Sequence, residues 1–131
     1  MGDVRGLRRG PRVVVAELGR SVAVVSLLGE HDMATANDVR TTLSSLLRKG
    51  ASVVIDLTET DFVDCRIMHV LEDSQRLASQ HGTRVSIQSA TRSIVRRVIR
   101  FIDTGEAWPV YDTRADAIRA ISRAPSRRTI S

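Results

Sequence analysis

The sequence predicts a single α/β domain on a mixed, mostly parallel sheet of about five strands, accompanied by about four helices. Short apolar runs alternate with longer segments whose apolar residues recur at helical spacing, which favours parallel strands joined by right-handed crossovers. The first two apolar runs follow each other directly and indicate a β-hairpin. No internal repeat or linker interrupts residues 13–121, so the pattern belongs to one domain.

Five apolar runs are predicted to be β-strands. RVVVAEL (12–18) and SVAVVSLLG (21–29) form the hairpin, because Gly19-Arg20 between them suits a tight turn. The second run is apolar almost throughout, as expected of an inner strand that is covered on both faces. The three later strands are SVVIDL (52–57), RVSIQS (84–89) and a short edge strand, PVY (109–111).

Two helices are predicted between these strands in the first part of the chain. The first is capped by Asp32 or Thr35 and ends at Lys49-Gly50, since glycine readily adopts the left-handed conformation that terminates helices. The segment TETDFVD is interpreted as a loop, and the second helix follows it from about Cys65 to Gln80. The apolar stripe of the first helix consists of Ala36, Val39, Leu43, Leu46 and Leu47.

A third helix is predicted over residues 90–102, and a last one over residues 113–121 behind a cap at Asp112 or Thr113. The 90–102 helix carries four arginines on the face opposite its apolar residues. That basic face could dock a partner or acidic lipid headgroups, although a solvated face is the commoner explanation. These arginines are Arg92, Arg96, Arg97 and Arg100.

The positive charge of the chain is confined to its two ends. Residues 1–12 and residues 122–131 each carry a net charge of +3, which leaves −1 of the total +5 for residues 13–121. We therefore divide the chain into a basic flexible arm (1–11), the domain (12–121) and a basic flexible tail (122–131). The nearly neutral domain, with 3% aromatic residues, argues against specific nucleic-acid binding.

Composition also bears on the compartment and on metal binding. No apolar run approaches the roughly 18–20 residues of a membrane span, and no apolar segment with a cleavage site follows the basic start. The single cysteine excludes an internal disulfide framework and a multi-cysteine zinc site. We therefore expect a cytoplasmic protein without a membrane span, a metal or a cofactor.

Four carboxylates follow the third predicted strand, at the edge where open α/β sheets often bind ligands. Such a cluster could hold Mg²⁺ or act as an acid–base pair. A solvated loop with a helix cap is the preferred interpretation, because no nucleophile, phosphate-binding loop or catalytic base accompanies the cluster. The carboxylates are Asp56, Glu59, Asp61 and Asp64.

Cys65 is a candidate redox or modification site. Its thiol is predicted to lie at a helix N-terminus beside Arg66 and one turn before His69, and both the helix dipole and the neighbouring cation favour a thiolate. The alternative is that cysteine serves here as a small residue at a tight helix start.

Three short motifs together resemble the STAS domain of bacterial anti-sigma factor antagonists. They are Gly29-Glu30-His31-Asp32 before the first helix, the strand VIDL (54–57), and DFVD (61–64) before the second helix. In that family a G-E-[LIV]-D turn precedes the first helix, and F-x-D-S-[ST]-G opens the second. The resemblance covers residues 12–121.

The resemblance implies a non-enzymatic regulator of sigma-factor-dependent transcription, including stress responses. Family members bind an anti-sigma factor, which is a GHKL-type ATPase and kinase, through the start of their second helix. The unphosphorylated antagonist frees the sigma factor, whereas phosphorylation of the Ser or Thr in the motif breaks the complex. By this resemblance the partner-binding residues here are Glu30, Asp32, Asp64, Cys65, Arg66, Met68 and His69.

The motif departs from the family at the positions of the switch. Cys65 replaces the first Ser, Arg66 replaces the phosphoacceptor, Ile67 replaces a small residue, and His31 replaces an aliphatic one. The interface is therefore expected to persist without Ser/Thr phosphorylation at position 66. Binding would then be constitutive, redirected to another partner, or lost.

Other functions remain open at this level. STAS domains also occur as subunits of ABC lipid-transport systems, in anion transporters and in stress-sensing assemblies, and a homodimer is compatible with the sequence. Of these functions, an enzyme that uses the loop between Asp56 and Asp64 is the least favoured.

Overall fold

The structure is a computed structural model, and its description covers residues 10–90 and 110–122. The predicted helix at 90–102 and nearly all of both basic arms lie outside these ranges. The strands are β1 (Arg12–Leu18), β2 (Val22–His31), β3 (Ser52–Asp56), β4 (Thr60–Val63), β5 (Val85–Gln88) and β6 (Val110–Tyr111). The helices in the described ranges are α1 (Met33–Arg48), α2 (Cys65–Gln80) and α3 (Arg114–Ser122).

Six strands form a mixed sheet with the order β1-β2-β3-β5-β6, and β4 pairs separately with the end of β2. Strands β1 and β2 are antiparallel, whereas every other pairing is parallel. The structure thus confirms the predicted hairpin, the inner position of β2 and the edge position of β6. In β2-α1-β3, two neighbouring parallel strands are joined by a helix. This is the unit that the alternation of apolar runs and helical segments predicts.

Strand β4 corrects the prediction that TETDFVD is a loop. Its residues pair with the last residues of β2, with Thr60 opposite Gly29 and Val63 opposite His31, and a bulge follows Gly29. Thr60 and Val63 are buried while the two residues between them are exposed, so the segment lacks the strict alternation of an ordinary strand. The pairing also extends β2 to His31, two residues past its predicted end.

The core has two parts, one on each face of the sheet. The larger part packs α1 and α2 against one face, and the predicted apolar stripe of α1 is buried there. On the other face, Val24 and Val54 contact Ala117 and Ile121 of α3. Because each buried leucine or isoleucine contributes about 1.5–3 kcal/mol, the larger face holds most of the stabilising burial. This packing fixes the positions at which α1 and α2 begin.

Candidate functional site

The pairing of β4 with β2 brings the starts of α1 and α2 together at one edge of the sheet. Strand β2 ends at His31, directly before the cap of α1, and β4 ends at Val63, directly before the cap of α2. The backbone N–H of Asp64 donates to the carbonyl of His31 at 3.3 Å. The two helix starts, which are distant in sequence, therefore form one surface.

Asp32 and Asp64 cap the two helices, and Asp32 is one of the two caps that the sequence predicts for α1. A carboxylate oxygen of Asp32 accepts from the Ala34 N–H at 2.9 Å, and one of Asp64 accepts from the Ile67 N–H at 3.1 Å. Each bond satisfies a backbone donor that the first helical turn leaves unpaired, and a cap of this kind stabilises a helix by about 1 kcal/mol. Both aspartates therefore have a structural role at this surface.

The turn before α1 depends on Gly29. This residue has φ +86°, in the left-handed region that favours glycine, and its N–H donates to the Glu59 carbonyl at 3.0 Å. The bulge that follows leaves Glu30 exposed beside the helix start. Glycine at this position thus allows a charged side chain to reach the surface.

His31 is fully buried beneath the same turn. Its Nε2 lies 3.0 Å from the Leu28 carbonyl oxygen, and its Nδ1 lies 3.1 Å from the Thr35 hydroxyl oxygen. A carbonyl can only accept, so Nε2 carries a proton and donates. His31 therefore connects the end of β2 with the first turn of α1, where the family pattern has an aliphatic side chain.

Two large apolar side chains are exposed around the helix starts. Met33 is 62% exposed and Phe62 is 51% exposed. Sequence analysis did not identify Met33 as a surface residue, since Met33 stands three residues before Ala36 and so continues the apolar stripe of α1. It is exposed because it occupies the first turn, beyond the cover of the sheet. Its position directly after the cap is the signal that could have identified it.

Most of the predicted partner-binding residues are exposed here, but Met68 is not. Glu30, Asp32, Cys65, Arg66 and His69 are exposed, and Asp64 is half-buried as a cap. Met68 is fully buried in the core. The helical period turns the residues at 67, 68 and 71 inward and those at 65, 66 and 69 outward. Met68 is therefore a core residue and is withdrawn from the candidate surface.

Arg66 lies exposed on the first turn of α2. Within residues 10–90 and 110–122 it makes no ion pair. The N-terminus of a helix carries a partial positive charge, so an exposed cation there costs about 0.3–1 kcal/mol. The guanidinium therefore does not contribute to folding through a salt bridge in this part of the chain.

The carboxylate cluster at the end of β3 is divided between a buried part and an exposed part. Asp56 is buried on the α3 side, where it accepts hydrogen bonds from Ser26 at 3.3 Å, the Thr58 N–H at 2.9 Å and Arg114 at 2.7 Å. Burial raises the pKa of Asp56, but the hydrogen bonds from Thr58 and Arg114 and the charge of Arg114 outweigh it and hold the pKa below 3.8. Glu59 and Asp61 are exposed.

This division leaves no shared carboxylate site after β3. Among the described residues, no three side chains of His, Cys, Asp or Glu are grouped so that they could hold a metal ion. None of the described helices is long and apolar enough to cross a membrane.

A comparison with protein families matches residues 13–117 to the STAS domain model. Comparison with curated protein sequences returns no match. The similarity to known proteins is therefore carried by the family model and by solved structures.

Solved structures share this fold at low sequence identity. An anti-sigma factor antagonist from Mycobacterium paratuberculosis is 23% identical with a TM-score of 0.76, over 87% of this chain and 96% of that chain. The phosphorylated form of the Bacillus cell fate determinant SpoIIAA is 19% identical with a TM-score of 0.66, over 84% and 99%.

A third similar structure is much larger. The murine Solute Carrier 26 family member A9 anion transporter is 14% identical with a TM-score of 0.63, over 78% of this chain and 18% of that chain. These structural likenesses show the fold, and the family model covers most of the sequence. The chain belongs to the STAS domain family.

Proposed function

We propose that this protein is a non-enzymatic regulator that binds an anti-sigma factor through the joined starts of α1 and α2 and so influences sigma-factor-dependent transcription. The pairing of β4 with β2 is the observation that carries this proposal, because it makes one exposed surface of the two motifs that resemble the family. The structural similarity to an anti-sigma factor antagonist from M. paratuberculosis supports the class of partner. The family resemblance implies that this partner is a GHKL-type ATPase, and the proposed site of action is the cytoplasm.

The chemistry of the surface suits protein–protein contact. Met33 and Phe62 offer exposed apolar area, while Glu30, Arg66 and His69 supply charged or polar groups around it. Specific interfaces commonly have apolar and aromatic contacts at their centre and a polar rim. We assign the centre of the contact to Met33 and Phe62 and the rim to the flanking charges.

The proposed regulation differs from that of a phosphorylated antagonist. Arg66 stands at the phosphoacceptor position of the motif and has no hydroxyl group. The nearest preceding hydroxyls are engaged: Thr60 donates to the Leu27 carbonyl inside the fold, and Thr58 accepts from the Gln88 side chain. A phosphate would add about −1.5 to −2 charges at pH 7 to the interface. Without an acceptor at position 66, binding remains on in the presence of ATP.

Oxidation is a separate prediction for the same surface. Cys65 is a free, exposed thiol next to Arg66. Its modification would alter the contact directly, so the binding experiments require a reducing buffer.

Membership of a transport assembly is the second candidate function. The similarity to the anion transporter covers only 18% of that chain, so a STAS fold can form one part of a much larger transport protein. An ABC lipid-transport system with a STAS subunit is one version of this second function, and a stress-sensing assembly is the other.

Affinity capture from the native host tests the proposal. The wild-type protein should recover a GHKL-type ATPase, and a Met33→Ala, Phe62→Ala double variant should lose it. Leu18→Ala is the matched control, because Leu18 is also an exposed apolar residue but pairs with Val22 at the other end of the hairpin. Recovery of ABC transporter subunits in place of the ATPase would favour the second function. Equal recovery by all three proteins would reject the proposed surface.

A further inference from the structure

Strand β1 forms a long edge of the sheet. It lies at one end of the strand order and, within the described ranges, pairs only with β2. Its seven residues hold an unbroken register with no bulge and contain no proline. The opposite edge, β6, has two residues. Natural edges are usually shortened, bulged, charged or covered, because their free N–H and C=O groups would pair with another strand. Within the described ranges β6 is protected by its short length, whereas the long strand β1 has only the charges of Arg12 and Glu17.

Exposed apolar side chains are concentrated on the same strand. Val14, Val15 and Leu18 are 39%, 41% and 47% exposed, and the other large apolar residues with comparable exposure in the described ranges are Met33 and Phe62 of the candidate site. Because side chains alternate along a strand, Val14 and Leu18 face the α3 side of the sheet while Val15 faces the α1 and α2 side. Both faces of the β1 edge are therefore apolar.

We propose that β1 pairs antiparallel with β1 of a second copy of this chain, about a two-fold axis that passes through Val15. A two-fold axis normal to the sheet keeps α1 and α2 of both copies on the same side and joins the two sheets into one. In this arrangement, two residues that pair across the axis lie on the same face of the joined sheet. An axis at the central residue, Val15, allows all seven residues of β1 to pair. The pairs are Arg12 with Leu18, Val13 with Glu17, Val14 with Ala16, and Val15 with Val15.

The charges of the strand favour this arrangement. Antiparallel pairing sets Arg12 against Leu18 and Glu17 against Val13, so no two like charges are opposed. A parallel arrangement would set Arg12 against Arg12 and Glu17 against Glu17, and like charges directly opposite each other destabilise a strand pair. Glu17 is also held at 3.5 Å by Lys49 of the turn after α1, within its own chain. The charges of β1 are therefore compatible with a second β1 strand in the antiparallel orientation.

The dimer would leave the candidate site accessible. Pairing of β1 with β2 reaches Leu28, whereas the joined helix starts use residues from Gly29 onward. Each dimer would present two copies of that surface. The inference goes beyond the proposed function and does not depend on it.

Sedimentation equilibrium in reducing buffer tests the proposal, because the reductant prevents exposed Cys65 from linking two chains. At about 100 µM the wild-type protein should have twice the 14.4 kDa mass of the chain. Val15→Lys should weaken self-association at least about tenfold, since the two lysines would face each other across the axis. Val15→Glu should do the same, and an equimolar mixture of the two variants should restore the dimer.

A dimer restored in the mixture would exclude misfolding as the cause of the weakened self-association, because two misfolded variants would not form a dimer together. Met33→Lys is the control, since Met33 is exposed but lies on α1 and not on the β1 edge, and this variant should remain dimeric. A wild-type mass of 14.4 kDa at every concentration would overturn the proposal, as would a Val15→Lys variant that dimerises as strongly as the wild type.

Discussion

Asp56 and Asp64 stand at the two ends of the segment that contains β4, yet the fold uses them differently. Asp56 is buried on the α3 side and accepts hydrogen bonds from Ser26, Thr58 and Arg114. Asp64 lies at the opposite side of the segment, where it caps α2 beside exposed Cys65 and Arg66. The first carboxylate belongs to an internal polar network, and the second lies at the edge of the proposed binding surface.

This difference separates residues that maintain the fold from residues that are free to bind. The partners of Asp56 come from β2, the loop after β3 and α3, so its loss affects the packing of several elements. Arg66 has no ion-pair partner in the described ranges, so its loss costs the fold little. We expect substitutions at Asp56 to lower stability and leave partner affinity unchanged. Substitutions of exposed residues at the helix starts should instead lower partner affinity and leave stability nearly unchanged.

The adjacent pair Met68 and His69 should show the largest contrast. Met68→Ala should lower the free energy of unfolding by about 2–5 kcal/mol, because it leaves a cavity in the core. His69→Ala should change it by less than about 0.5 kcal/mol, since His69 is exposed. Urea denaturation of the two variants measures both values. Similar losses in both would mean that the inward and outward faces of α2 are wrongly assigned.

Phe62 should give the clearest effect on binding alone. Phe62→Ala should weaken the affinity for the anti-sigma factor at least about tenfold, as expected for an aromatic residue at an interface centre. Its stability should change by less than about 0.5 kcal/mol, because half of the ring is already exposed. Isothermal titration calorimetry measures the affinity, with Leu18→Ala as the matched control. Equal affinities for the two variants would contradict the proposed centre.

Asp56 should affect stability but not binding. Asp56→Asn should lower the free energy of unfolding by about 1–2 kcal/mol at pH 7, a value below that of a fully buried ion pair because Arg114 is half exposed to solvent. The affinity for the partner should remain that of the wild type.

The same variant gives a pH dependence of known sign. The pKa of Asp56 is lower in the folded protein than in the unfolded chain, so its contribution is fully present above about pH 4 and is lost as the pH falls through the folded value. The difference between wild type and Asp56→Asn should therefore shrink in acid. Chemical denaturation from pH 7 to pH 3 tests this, with exposed Asp61→Asn as the control. A difference that stayed constant over this range would show that the ionised carboxylate is not the stabilising species.

Of the four residues whose substitution is predicted to have an effect, Asp64 should have the smallest. Asp64→Ala removes the side-chain acceptor of the Ile67 N–H and should cost about 1 kcal/mol of stability. Asp61→Ala, three residues earlier and exposed, should cost less than about 0.5 kcal/mol. Thermal denaturation distinguishes them. If both variants were equally stable, the cap would contribute nothing to the start of α2.

Much of the fold follows from patterns within short segments. The stripe of α1, its cap at Asp32 and its end at Gly50, with φ +97°, all depend on residues that are close in sequence. The hairpin was predicted for the same reason, because its two strands are neighbours along the chain. Local rules are reliable where the determining contacts are local.

Strand β4 and the fate of the carboxylates could not be predicted in this way. Thr60–Val63 forms a strand only because the end of β2 pairs with it, across about thirty residues of chain. Asp56 is buried because α3, much later in the sequence, supplies Arg114. Met68 was misassigned because the resemblance indicated a partner contact at the start of α2, although its helical position indicates the core. Each of these features depends on contacts between distant segments.

The effect of ATP on partner binding tests the central claim most directly. The affinity of the purified protein for the proposed GHKL-type partner would be measured with and without ATP and Mg²⁺, followed by intact-mass analysis of the chain. We expect an unchanged dissociation constant and no added phosphate on residues 58–66, whereas an Arg66→Ser variant should acquire phosphate and lose affinity. An ATP-dependent loss of binding by the wild type, with phosphate on that segment, would contradict the account.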